Sequence, residues 1–320
     1  MTNFHPRVAV VTGAGSGIGR GIAKALAQRD ASVIVADINL ATALDTVEVI
    51  RAQGGSAHAY ALDVADTPAL EAFAETVRAE HGVPDVVVNN AGIIVGGPFL
   101  DVPLEDLRRI IDINMMAMIH GCRIFGAQMA ERGTGGQLVN IASMAAFAPA
   151  RLTGPYSIGK AAVKHFSETL RAELAAQHIG VTVVCPGLIA TNLPATAAVA
   201  TLTGDQVEIG KKAMIKAMTY LGMDPDKAGR KIVAAAARNQ AVLPLRPESW
   251  VGYRVARAFP NLTRGALRVI TGPELERLGR LLIDRPEVLR AAERLAERLP
   301  QREGLQTYWE PPAYEPGAHV

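Results

Sequence analysis

Between Arg7 and Leu245, short β-branched apolar runs alternate with longer stretches of helical patterning. That alternation confines the chain to a parallel sheet covered by helices on both faces. The runs Arg7–Thr12, Ser32–Asp37, Ala57–Leu62, Val86–Asn89, Gln137–Ile141, Val181–Cys185 and Ala241–Leu245 read as seven strands. The stretches Ile18–Arg29, Leu40–Gln53, Thr67–Glu80, Leu104–Glu131, Tyr156–Gln177 and Pro225–Asn239 read as helices between them. Crossovers between parallel strands are right-handed, so the series predicts a doubly wound seven-stranded α/β sheet. Its ligand site belongs outside the carboxyl ends of the strands.

Two segments depart from this rhythm. An Ala-, Thr-, Leu- and Met-rich stretch over 188–224 separates the sixth strand from the last crossover helix and is the expected substrate lid. Beyond Leu245 there are eleven arginines, no lysine and seven acidic residues before Pro300, with helix-breaking sites near Pro260, Gly272–Pro273 and Pro286. The expected organisation is a dinucleotide-binding catalytic domain over 1–245, then a helical C-terminal extension and a proline-containing tail over 246–320.

Several function classes lose support from composition. A formal charge of +2 on 320 residues provides no global field for gripping nucleic acid. Cys122 and Cys185 are far apart in apolar surroundings and read as buried free thiols of a reducing compartment. No leading apolar signal region precedes Arg7, and no uninterrupted apolar run reads as long enough to span a bilayer, so a cytoplasmic protein is the expectation. The seven histidines lack metal-ligand spacing, and no metal is expected.

The first strand runs into Thr12-Gly13-Ala14-Gly15-Ser16-Gly17-Ile18-Gly19 and then into a helix. Glycines there permit a tight turn and let the backbone approach a pyrophosphate, whose charge meets the helix N-terminus, as in a Rossmann dinucleotide site. Asp37 ends the second strand, where a carboxylate can accept hydrogen bonds from an adenosine ribose and repel a 2′-phosphate. NAD is therefore favoured over NADP. The competing role for Asp37 is a cap on the following helix.

Tyr156 and Lys160 lie four apart on a helix, so they share a face, and the lysine charge can favour the ionised phenol. A tyrosine with a pKa of about 10 is a poor base at neutral pH; beside a cation it becomes a useful one. Ser143 precedes the pair by thirteen residues. Taken singly, Ser143 could be a turn former at a strand end and Asn114 a helix hydrogen-bonding residue.

Thr12–Gly19, Asn89-Asn90-Ala91-Gly92, Asn114, Ser143, Tyr156–Lys160 and Pro186-Gly187 followed by Thr191 occur in this order. Together they resemble the short-chain dehydrogenase/reductase family in its short single-domain branch, over about Pro6 to Leu245. The resemblance implies that Gly13, Ser16, Gly17, Ile18 and Gly19 line the pyrophosphate, and that Asp63 and Val64 flank adenine. It places Asn90, Ala91 and Gly92 beside the adenosine ribose, Pro186 and Gly187 with the cofactor residues, and Ile189 and Thr191 at the nicotinamide carboxamide. Tyr156 becomes the general acid/base, and Lys160 lowers its pKa and holds the nicotinamide ribose. Ser143 orients the substrate oxygen, and Asn114 holds a water on a proton path. Two residues depart from the family pattern. Gly159 replaces the usual serine or threonine before the lysine, which makes close packing there plausible, and Ala142 replaces a common serine.

The activity implied is an NAD-dependent alcohol dehydrogenase or carbonyl reductase for a fairly apolar secondary alcohol or ketone, bulky or cyclic. Apolarity rests on Leu193, Val199, Leu202, Met214, Ile215, Met218, Leu221 and Met223. The rivals are a sugar-nucleotide epimerase or dehydratase of the extended branch and a non-catalytic NAD-binding redox sensor. Family resemblance also implies a homodimer or homotetramer built on the helices Leu104–Glu131 and Tyr156–Gln177. Trp250, Tyr253, Val255 and Phe259 are expected to pack on the catalytic domain or a partner subunit, a peripheral membrane contact being the less favoured alternative.

Overall fold

The structure is a computed structural model that describes residues 4–147, 152–191, 193, 198–199, 215, 218–261 and 263. Strands β1 (Val8–Thr12), β2 (Ser32–Asp37), β3 (Ser56–Ala61) and β4 (Val86–Asn89) alternate with helices α1 (Gly17–Ala27), α2 (Leu40–Ala52) and α3 (Thr67–His81). A short β5 (Val95–Gly96) precedes α4 (Leu104–Ile111) and α5 (Ala117–Arg132). Then come β6 (Gly136–Ile141), α6 (Gly154–Glu173), β7 (Ile179–Cys185), β8 (Ala198–Val199), α7 (Pro225–Ala237), β9 (Val242–Pro244) and α8 (Pro247–Ala258).

The main sheet has seven parallel strands in the order β3-β2-β1-β4-β6-β7-β9, so strand order reverses between β1 and β4. A crevice at that reversal is where an open α/β sheet binds its ligand. Successive strand residues point to opposite faces, and the apolar runs therefore feed two cores. Val11, Val33 and Val35 meet Ile22, Leu26, Val47, Ile50 and Ile232 on one face. Val10, Ile34 and Val87 meet Phe73, Val77, Phe125, Met129 and Val163 on the other. Side chains of Asn39, Asp66 and Asp224 cap α2, α3 and α7, and Gly133 closes α5 with φ 73°.

Three readings of the sequence need correction. The single helix expected over Leu104–Glu131 is interrupted by a π-helical turn at Asp112–Met116, which inserts a residue into the helical ladder without a proline or glycine to signal it. Val95–Gly96 and Ala198–Val199 form a second, two-stranded parallel sheet too short to leave a periodic signature. The helical run Leu104–Arg132 is long and apolar enough by length and composition to cross a membrane; in the fold Cys122, Phe125 and Met129 bury its inner face against the sheet. Helix α8 packs on the catalytic domain as expected, although not with all of its aromatic residues. Tyr253 stacks edge-on against Phe147 at 5.6 Å, but Trp250 and Phe259 stay 50% and 59% exposed. The Arg254 guanidinium covers the Trp250 ring at 4.7 Å, a cation–π contact that gives the outward face of the helix an alternative to burial. The expected positions Leu202 and Met214 and the chain beyond 263 lie outside the described residues.

Candidate active site

The turn after β1 is built by close approaches that only glycine tolerates. Gly13 and Gly17 have φ of 61° and 51°, and a Cβ on Gly19 would collide with the Gly13 carbonyl. Thr12 and Asn90 lock this turn to the loop after β4. Asn90 Nδ2 donates to the carbonyls of Thr12 and Gly13, both at 3.0 Å. The Thr12 hydroxyl accepts the amides of Asn90 and Ala91 at 3.1 and 3.2 Å. Thr191 reaches the same turn, since a Cβ on Gly17 would lie 3.0 Å from its Cγ2. The glycine turn, Asn90–Gly92 and Thr191 therefore surround one crevice, while Gly17 and Ile18 open α1 and Ser16 occupies its N-cap position.

Asp37 sits at the rim. Its carboxylate accepts Gly15 N at 2.8 Å and Asn39 N at 3.0 Å, whereas the cap of α2 is Asn39, which accepts from Ala41 and Thr42. Arg20 is engaged within the same region, its Nε donating to Thr46 Oγ1 at 2.9 Å. Asp63 stays exposed at the end of β3, accepting Ala65 N, with Val64 beside it partly buried.

Helix α6 starts at Gly154 with Pro155 in its first turn, which suits a residue lacking an N–H. Tyr156, Lys160, Val163 and Ser167 then follow at helical spacing on one face. Lys160 is 4% exposed; its Nζ donates to the Ile141 carbonyl at 2.9 Å and lies 5.8 Å from the centroid of the Tyr156 ring. Ser143 stands just past β6, where its Oγ accepts Ala145 N at 3.2 Å and its hydroxyl is near enough to the Tyr156 phenol to draw its pKa down. Met144 N donates to the Pro186 carbonyl at 2.9 Å, which ties this turn to the end of β7.

Electrostatics at this cluster run against one expectation. Burial pushes the Tyr156 phenol above its ordinary range, and the Ser143 hydroxyl pulls it partly back. The spacing of Tyr156 and Lys160 suggested a lowered phenol. Desolvation of the buried phenol itself outweighs it, and burial likewise pushes the Lys160 ammonium down to about 8. Both cysteines are free and buried, and burial pushes each thiol up to about 12, as expected of unreactive core thiols.

Asn114 lies inside the π turn and is 2% exposed. Its amide grips one backbone residue from both sides, accepting Ile93 N at 2.8 Å and donating to Ile93 O at 2.9 Å. Gly92 separates it from the amine: a Cβ there would lie 3.1 Å from Asn114 Oδ1 and 3.5 Å from Lys160 Nζ. Gly159 faces the same turn, yet a Cβ on it would make an ordinary 3.5 Å contact with Asn114 Cβ, so packing does not demand glycine at that departure.

One supporting layer escaped the sequence reading. Asn89 Nδ2 donates to Asn140 Oδ1 at 2.8 Å, and Asn140 Nδ2 donates to Ser167 Oγ at 2.9 Å. Cys122 Sγ lies 3.3 Å from the same Asn140 oxygen. This buried network bonds β4, β6, α5 and α6 directly behind the Ser143, Tyr156 and Lys160 cluster. Ser167, seven residues after Lys160 on its face, was the available clue.

A model of the short chain dehydrogenase family matches residues 7–201. The chain belongs to the short-chain dehydrogenase family. Among curated relatives, the "Probable oxidoreductase EphD" of Mycobacterium tuberculosis is 45% identical over 268 residues, covering 83% of this chain and 45% of its own length. This family member thus spans about half the length of that relative. The 1-deoxy-11-beta-hydroxypentalenate dehydrogenase of Streptomyces avermitilis is 36% identical, over 60% of this chain and 72% of its own. Among solved structures, a short-chain dehydrogenase/reductase from Burkholderia phymatum in complex with NAD superposes with a TM-score of 0.75 at 25% identity, covering 82% of this chain and 96% of that one. Other solved members of the family hold NADP.

Proposed function

We propose that this short-chain dehydrogenase interconverts a secondary alcohol and a ketone with NAD as the hydride carrier. The observation that carries the reading is the convergence of Ser143, Tyr156 and Lys160 beside a glycine turn at the reversal of strand order. The residues present fit a dinucleotide, because Gly13, Gly17 and Gly19 keep Cβ atoms out of the cradle that a pyrophosphate would fill. Ser16 and Ile18 would complete that cradle, Asp63 and Val64 would flank the adenine, and Asn90, Ala91 and Gly92 would line the ribose. Pro186, Gly187, Ile189 and Thr191 would hold the nicotinamide end. When bound, the dinucleotide supplies the carbon that accepts or returns a hydride.

In the oxidative direction, Tyr156 takes the proton from the substrate hydroxyl while the carbinol hydrogen departs with its electron pair. Ser143 donates a hydrogen bond to the same oxygen and stabilises charge developing on it. Lys160 holds a proton behind the phenol, and Asn114 fixes the adjoining loop and a water on the proton path. The apolar character of the substrate is supported by Leu188 and Leu221, 41% and 65% exposed at the base of the excursion after β7. The pentalenate relative, named for dehydrogenation of a hydroxylated compound, supports hydroxyl oxidation. A screen of secondary alcohols with NAD, followed by absorbance of the reduced nicotinamide, tests the activity, and absence of turnover across the screen would leave a non-catalytic binding protein.

The position of Asp37 beside Gly15 supports NAD over NADP. NADH is expected to bind about tenfold more tightly than NADPH, worth about 1.4 kcal/mol, and Asp37→Ala to shrink the gap. Equal affinities in a fluorescence titration would overturn the preference. We further propose a cytoplasmic homodimer or homotetramer that packs α4, α5 and α6 against their counterparts. Light scattering should give at least twice the chain mass, and a concentration-independent monomer would contradict it.

A further inference from the structure

After β7 ends at Cys185 the chain passes through Pro186 and Gly187 to Leu188 and Ile189, and Met223, just before α7, lies beside this segment. The two are joined by one parallel bridge between Ile189 and Met223. Met223 N donates to Leu188 O and Ala190 N donates to Met223 O, both at 2.9 Å. The start of α8 stands directly against this bridge. Arg246 Nη1 donates to the Leu188 carbonyl at 2.7 Å and to the Leu221 carbonyl at 2.6 Å, so one guanidinium grips both arms of the excursion. Arg246 Nε pairs with Glu248 Oε1 at 2.7 Å, and that same oxygen accepts Leu188 N at 3.3 Å. The carboxylate lies so close to Gly187 that a Cβ there would overlap it.

We propose that Arg246 and Glu248 are positioning residues that hold the backbone from Pro186 to Thr191 against the nicotinamide end of the cofactor. Three physical points support this role. Arg246 is only 21% exposed at its side chain, so its planar fork is held in place and the bonds are charge-assisted. Both partners act on main-chain atoms rather than on variable side chains, which fixes the path of the chain. The segment they fix lies between the end of β7, bonded through Pro186 to the Ser143 turn, and Thr191, which contacts the glycine turn. The clamp thus sets the distance between the pyrophosphate cradle and the reacting cluster. The inference rests on the dinucleotide reading above.

The test compares NADH with ADP-ribose, which carries the adenosine, pyrophosphate and second ribose but no nicotinamide. In Arg246→Ala, NADH affinity is expected to fall about tenfold while ADP-ribose affinity stays within about twofold. Amide exchange at Ala190 and Met223, measured without ligand, should accelerate about tenfold. Arg246→Lys should recover part of both effects, since an ammonium keeps the charge but not the rigid fork. Unchanged NADH affinity with unchanged exchange would overturn the clamp, and so would equal losses for the two ligands. Should Arg246→Ala fail to fold, Arg246→Lys and Glu248→Gln carry the same comparison, with smaller losses confined to NADH and faster exchange at the same two amides. If the unmodified protein bound neither NADH nor NADPH, the dinucleotide reading would fail, and the exchange rates alone would decide the clamp.

Discussion

Tyr156→Phe lowers turnover about a thousandfold while leaving NADH affinity within about twofold, because general acid–base catalysis of this kind is worth about a hundred- to ten-thousandfold. The substitution removes one oxygen and keeps the ring, so the packing of α6 against the cradle is preserved. The phenol is held above its ordinary range by burial, with only Ser143 pulling it down. A phenol so raised carries its proton at neutral pH, so loss of the hydroxyl removes the group that exchanges a proton with the substrate oxygen and the neighbour of Ser143 together. Steady-state rates on an authentic alcohol, beside a fluorescence titration of NADH, check the prediction. Near-normal turnover would remove Tyr156 from the mechanism.

Lys160→Met separates function from stability. Turnover is expected to drop about a hundredfold and NADH binding to weaken, yet thermal stability at pH 7 should not fall. A buried ammonium is a liability in the folded state, and its bond to the Ile141 carbonyl offsets only part of the lost hydration. Burial lowers the amine from 10.5 to about 8, so the native chain releases this proton at a lower pH than the unfolded chain does. Below about 8 the penalty is fully present; as pH rises from there towards 10.5 the unfolded chain binds more protons and the penalty is relieved. The variant's advantage in melting temperature should be largest near neutral pH and shrink across that window. A variant much less stable than the parent at pH 7 would show that Lys160 supports the fold.

The repeating architecture was legible because its cause is local. Ser32–Asp37 and Val86–Asn89 were readable to the residue, since a strand buried on both faces must be an apolar run of that length. Edges were less sharp: β7 begins at Ile179 and β6 at Gly136, where a glycine and a polar residue interrupt the apolar pattern. The π turn at Asn114 carried no such mark, because its extra residue is accommodated by the grip on Ile93, twenty-one positions away. The same holds for Trp250 and Phe259. Their apolarity suggested burial, but on a helix only one stripe faces the core, and Tyr253 occupies it.

By itself the sequence determined the alternation that yields a parallel doubly wound sheet, the glycine turn at its first crossover, and the shared helical face of Tyr156 and Lys160. Each follows from periodicity, backbone freedom or side-chain spacing within a few residues. Only the tertiary structure decided that Asn140 bonds to Ser167 behind that face, that Asp37 reaches Gly15, and that Arg246 seizes Leu188 and Leu221 together. It also decided the direction in which burial moves the phenol and the amine. These are contacts and solvation effects between residues distant in the chain, and hydrogen bonding and desolvation at such sites are set by the packing of elements rather than by their order.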